Sequence, residues 1–109
     1  MKQDELKKLL ETAKSLRDDH PDEIPAEEVH GTVVYKAQVN WFNNITTTMA
    51  VLIRREVIQD TDMIDAYHSF CDYLRLTDLG GRPTNEEDIR RGNEFLSLVI
   101  KYAERKTME

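Results

Sequence analysis

Cysteine, proline and glycine are scarce in this sequence, and each shortage excludes a class of protein. The single cysteine, Cys71, rules out an intramolecular disulfide and fits a reducing compartment. The prolines and all glycines but Gly92 lie in two short segments, residues 21–31 and 80–83, so the rest of the chain is free of the usual helix breakers. Glycine-rich phosphate loops, nucleophile elbows and dinucleotide fingerprints are absent, so no catalytic motif indicates an enzyme.

Long apolar runs are also missing. None approaches the roughly 20 residues that a membrane-spanning helix needs. The beginning of the chain, MKQDELKKLLETAK, lacks the apolar segment of a secretory signal, so we expect a cytoplasmic protein. The formal net charge of −6, with nine acidic against five basic residues in 1–30, predicts repulsion from free nucleic acid and anionic membranes. Whether the acidic N-terminal third imitates nucleic acid is left open by the sequence.

Apolar residues recur three and four positions apart in four segments, which is the spacing of one buried helix face. We therefore predict a single all-α domain over residues 1–109, built as a bundle of four main helices. The helices are expected at about 3–19, 32–58, 61–76 and 85–105, with a short helical turn near 25–30 between Pro25 and Gly31. Residues 29–36 are rich in β-branched side chains, so both helix and strand stay open there.

The second predicted helix contains a long uncharged segment, residues 37–53. Its apolar residues cover more than half of the helix circumference, which predicts a central helix with neighbours on several sides. The remaining narrow face is polar without charge, and centres of interfaces are depleted of charge, so we expect another protein chain or another segment of this chain to cover it. The predicted interface residues are Asn40, Asn43, Asn44, Thr47, Val51 and Arg55. A symmetric homodimer is one way of covering this face.

Two carboxylate–histidine pairs favour an alternative, a metal-dependent enzyme. Glu27 with His30, and Asp65 with His68, are each spaced so that both side chains would lie on one helix face, as in dinuclear iron bundles. The remaining glutamates point away from the predicted core, so the ligand set is incomplete. We therefore expect neither a metal nor another cofactor.

A second alternative, a nucleic-acid-associated regulator, rests on the Gly-Arg-Pro loop at 81–83 and on Arg90 and Arg91. Acidic residues at 86–88 would face the same phosphates, and the sequence contains no basic stripe. We expect instead a protein that works by binding another protein. Small acidic helical proteins of this kind, phage-encoded ones among them, serve as adaptors, inhibitors or regulatory subunits.

Overall fold

The computed structural model describes residues 2–18, 27–29, 32–34, 36–77 and 86–108. In chain order these residues form α1 (Lys2–Asp18), β1 (Glu27–Val29), β2 (Thr32–Val34), α2 (Lys36–Arg54), α3 (Thr61–Leu76) and α4 (Glu86–Thr107). The four helices pack together as a bundle, which confirms the predicted all-α class. The bounds of α1, α3 and α4 differ from the predicted ones by two residues at most, the usual uncertainty of helix ends.

The helical turn predicted near 25–30 is wrong, because Glu27–Val29 forms a strand. It pairs antiparallel with Thr32–Val34, and Glu28 lies opposite Val33. β-branched side chains fit a pleated strand better than a helix, and all three residues of Thr32–Val34 are β-branched. As a result α2 begins at Lys36 and not at residue 32. The partner strand was missed because its two glutamates give no apolar alternation.

The hydrophobic core draws buried side chains from all four helices. Phe70 of α3 stacks on Phe95 of α4 with ring centroids 4.9 Å apart, and also approaches Phe42 of α2 at 6.2 Å. Within the described chain, α1 makes its most extensive contact with α4. The buried residues of α1 are Leu6, Leu9 and Ala13, spaced three and four apart as the sequence pattern predicts.

Trp41 of α2 packs directly on the backbone of α4 at Gly92. A Cβ atom added to Gly92 would lie 2.5 Å from Cζ3 of the indole, far inside normal contact distance. The indole Nε1 donates a hydrogen bond to the carbonyl of Leu16, 2.7 Å away. That carbonyl belongs to the last turn of α1, where helix carbonyls lack intrahelical partners. Trp41 therefore joins three helices.

The connection from α2 to α3 is a tight reversal that ends α2 four residues earlier than predicted. Glu56 adopts a left-handed conformation with φ 61°. Its amide bonds to the carbonyl of Ile53, and the amide of Val57 bonds to the carbonyl of Leu52, which is the Schellman pattern of helix termination. Asp60 then caps α3 by accepting a hydrogen bond from the amide of Met63.

Candidate protein-interaction face

Six exposed side chains follow the outer side of α2 and its immediate C-terminal end. They are Asn40, Asn43, Asn44, Thr47, Val51 and Arg55, and we call them the α2 face. An α-helix turns once in about 3.6 residues, so spacings of three and four bring these side chains onto one side. The opposite side carries the buried Phe42, Ile45 and Met49. The structure thus places all six predicted interface residues together and leaves them exposed to solvent.

The polar side chains of the α2 face have free hydrogen-bonding groups. Within the described part of the chain, the three asparagine amides and the Thr47 hydroxyl make no hydrogen bond. The adjacent Thr46 and Thr48 hydroxyls donate instead to the backbone carbonyls of Asn43 and Asn44, at 3.1 and 2.7 Å. Such bonds satisfy threonine within a helix. The asparagine amides, which both donate and accept, are available to another molecule.

Electrostatically, the α2 face differs from every other helix surface that the structure describes. α2 contains no acidic residue, whereas α1, α3 and α4 each carry several. The charges on this side belong to two exposed arginines at its C-terminal end, Arg54 and Arg55. Nη2 of Arg55 lies 2.6 Å from Oε1 of Glu5 on α1, and this ion pair balances the charge of Arg55. The centre of the face is therefore polar and neutral.

α3 has two flanks, and the one that adjoins this side of α2 is half-buried. Its half-buried side chains are Ile64, Tyr67 and Cys71. The opposite flank lines a groove of about 200 Å³ against α4. Burial and a hydrogen bond with Cys71 raise the pKa of Tyr67 above its usual value, while the positive charge of Arg54 on α2 acts in the opposite direction. The adjoining flank adds partly exposed apolar surface next to the α2 face.

A second polar feature, at the start of α4, consists of Glu87, Arg90, Arg91 and Glu94, which we call the α4 ion cluster. Oε1 of Glu87 accepts bonds from Nη2 of Arg90 at 2.5 Å and from Nε of Arg91 at 3.0 Å. Arg90 also bonds to Glu94. Hydrogen bonds from Arg90 and Arg91 lower the pKa of the Glu87 carboxyl. Both arginines are thus occupied by carboxylates of their own helix, which weakens the case for phosphate contacts.

Sequence analysis missed the buried carboxylate beside this cluster. Asp88 is fully buried and accepts a 2.5 Å hydrogen bond from the hydroxyl of Tyr73 on α3. The guanidinium of Arg91 lies 4.8 Å from the centre of the same tyrosine ring. An acidic residue in the first turn of a helix is normally solvated, so the sequence contains no signal for this burial. The contact joins the end of α3 to the beginning of α4.

The residues proposed for a metal site are only partly described. Asp65 and His68 are exposed on α3. Glu27 belongs to β1, but its side chain is not among those described, and His30 lies outside the described residues. Among the side chains that are described, histidine, cysteine, aspartate and glutamate do not form a group of three suited to holding a metal ion.

The helices and their shared core define a four-helix bundle with a short hairpin before its second helix. Comparisons with known proteins give no match: no family model, no curated protein and no solved structure is similar to this chain. None of the described helices has the length and apolarity that crossing a membrane requires. Function must therefore be inferred from the surface chemistry itself.

Proposed function

We propose that this chain is a protein-binding domain and that its partner docks on the α2 face. In this proposal it acts as an adaptor, an inhibitor or a regulatory subunit, by binding and not by catalysis. The observation that carries the proposal is an exposed helix side whose centre is uncharged, in a chain of which a third of the residues are charged. The partner is another protein, and the single free Cys71 favours the cytoplasm as its location.

The energetic argument compares the free energy of burying neutral amide and hydroxyl side chains with that of burying ionised ones. Removing an ionised side chain from water is unfavourable by several kcal/mol unless it finds an ideal partner. An asparagine or threonine that exchanges water for a protein partner loses far less, because a satisfied neutral hydrogen bond contributes about 1 kcal/mol. Of the helix sides that the structure describes, the α2 face is the one that carries no carboxylate of its own, and the carboxylate at its end, Glu5 of α1, is already paired with Arg55.

Affinity capture with matched variants tests the proposal. The bait is the tagged wild-type chain, the variant Asn44→Glu/Thr47→Glu, or a control, Ser15→Glu/Ser69→Glu, which adds the same charge at exposed positions of α1 and α3. We expect a protein from the native host that the wild type and the control retain and the α2-face variant loses. Equal capture by all three baits would show that the α2 face is not the docking surface.

A further inference from the structure

We propose that the occupant of the α2 face is a second copy of this chain, in a symmetric antiparallel dimer. This inference rests on the proposed function and specifies its partner. Two observations support it, the self-complementary chemistry of the face and the acid-free composition of α2. An estimate of the area that α2 and the adjoining flank of α3 present together supports it as well.

A two-fold interface places one surface patch against the same patch, so its groups must pair with themselves. Lysine and arginine only donate hydrogen bonds and ionised carboxylates only accept them, so neither can pair with its own kind. Asparagine amides and threonine hydroxyls do both. The free side chains of Asn40, Asn43, Asn44 and Thr47 therefore form a patch that satisfies its own copy. A patch evolved for a charged partner would carry the opposite charge, and the centre of this one carries none.

Net charge restricts where two copies can meet. Each chain carries −6, so two copies repel one another at a distance and most strongly where carboxylates face carboxylates. α2 is the described helix that contributes no carboxylate to such an encounter. The charge of Arg55, at the end of the face, is balanced within its own chain by Glu5 at 2.6 Å. Two copies can thus approach along α2 without setting carboxylates of that helix against each other.

The length of α2 and a two-fold axis across it lead to one arrangement of the two helices and to an estimate of the dimer's affinity. If the two-fold axis passes between Asn44 and Thr47, Asn44 of one copy lies opposite Thr47 of the other, and Asn40 lies opposite Val51. The 19 residues of α2, together with the α3 flank, present a strip about 28 Å long and about 20 Å wide. Two such strips bury roughly 1,100 Å², just above the roughly 1,000 Å² expected of a biological interface. We therefore expect a weak, reversible dimer with a Kd on the order of micromolar.

Sedimentation velocity over a concentration series tests the dimer. The wild type is expected to shift from monomer to dimer, and so is the control Ser15→Glu/Ser69→Glu. In Asn44→Glu/Thr47→Glu the introduced carboxylates face each other across the axis, which should raise the Kd at least about 100-fold. Circular dichroism of each variant verifies folding. The substituted residues are exposed, so we expect unchanged helix content.

A charge-swap experiment identifies the surface independently of any effect on folding. Asn44→Lys/Thr47→Lys should also be monomeric on its own. Mixed with Asn44→Glu/Thr47→Glu, it should form a heterodimer, because each introduced ammonium then lies opposite an introduced carboxylate. Association of the mixture, but of neither variant alone, is expected only if two copies meet on this face.

The outcomes separate this inference from the proposed function. A wild type that stays monomeric at the highest concentration, or a dimer insensitive to the α2-face variants, overturns the homodimer. In either case the affinity capture described above still decides whether a different protein binds the face. If affinity capture retains no host protein but the mixture of the Glu and Lys variants associates, the partner is a second copy of this chain.

Discussion

Trp41 illustrates how one residue determines the spacing of the bundle. Cζ3 and Cη2 of its ring lie against the position where α4 has glycine, and its Nε1 donates to a terminal carbonyl of α1. Any side chain at residue 92 would have to displace a buried indole that is only 5% exposed. The close approach of α2 and α4 therefore depends on a matched pair, the largest side chain and the smallest.

This pairing predicts that the effect of Gly92→Ala on the free energy of unfolding changes sign when Trp41 is replaced by alanine. Trp41→Ala should lower the free energy of unfolding by roughly 3–5 kcal/mol through loss of buried surface and the resulting cavity. Gly92→Ala alone should destabilise by about 1–3 kcal/mol, because its Cβ would overlap the indole. In the Trp41→Ala background, Gly92→Ala should instead stabilise by up to about 1 kcal/mol, the helix propensity gained over glycine.

Urea unfolding of the four proteins measures this cycle. Equal effects of Gly92→Ala in both backgrounds would contradict the contact. Tryptophan fluorescence gives a direct check, since Trp41 is the single tryptophan. A native emission maximum like that of indole in water would mean that the ring is not buried.

Glu56 is the described non-glycine residue with a positive φ, at the position where Schellman motifs favour glycine. The left-handed conformation is unfavourable for residues with a Cβ by about 1–2 kcal/mol. Glu56→Gly should therefore raise the free energy of unfolding by about 0.5–1 kcal/mol, after the greater chain entropy of glycine is subtracted. Thermal and urea unfolding measure the change. As a matched control, Gln59→Gly in the same connection should lower stability, since its φ is not positive.

At the scale of elements, the α4 ion cluster predicts that the start of this helix responds to pH. The carboxyl of Glu87 has its pKa lowered below 4.5 by hydrogen bonds from Arg90 and Arg91. A group whose pKa is lower in the folded state contributes stability above its unfolded pKa and loses that contribution as pH falls through the folded value. The ion pairs of Glu87 should thus weaken in acid, below about pH 4.5.

We therefore expect the melting temperature of the wild type to fall more steeply than that of Glu87→Gln between about pH 6 and about pH 3. Glu86→Gln serves as the control, because it removes an exposed carboxylate of the same turn that is not part of the cluster. Circular dichroism melts at a series of pH values measure the three curves. Indistinguishable slopes for the wild type and Glu87→Gln would argue against a stabilising role of the ion pairs.

On the scale of the whole molecule, the competing hypotheses differ in their need for metal. A binding domain requires no ion, so His30→Ala/His68→Ala should keep the helix content, melting temperature and binding of the wild type. Elemental analysis of protein purified without chelator measures bound iron, manganese and zinc. Stoichiometric metal in the wild type that disappears in the double variant would favour the metal-dependent enzyme over the binding domain.

Much of the architecture could be predicted from the sequence because a helix with one buried face requires a periodic spacing of apolar residues within a single segment. Apolar residues three and four apart located all four helices. The exposed side of α2 was predicted by the same periodicity: once Phe42, Ile45 and Met49 face the core, the geometry of the helix turns Asn40, Asn44 and Thr47 outward. Single-helix periodicity was therefore enough to group the residues of the α2 face.

Other features were decided only when segments distant in the chain came together. Whether Glu27–Val29 forms a strand depends on pairing with Thr32–Val34, and the buried Asp88 accepts a hydrogen bond from the hydroxyl of Tyr73, fifteen residues away. Periodicity reports which side of one segment is apolar, but not which partner satisfies a polar group there. By itself the sequence determined four helices and the outward side of α2. The packing of those helices decided that a carboxylate is buried, that a left-handed glutamate follows the end of α2, and that no described segment covers the α2 face.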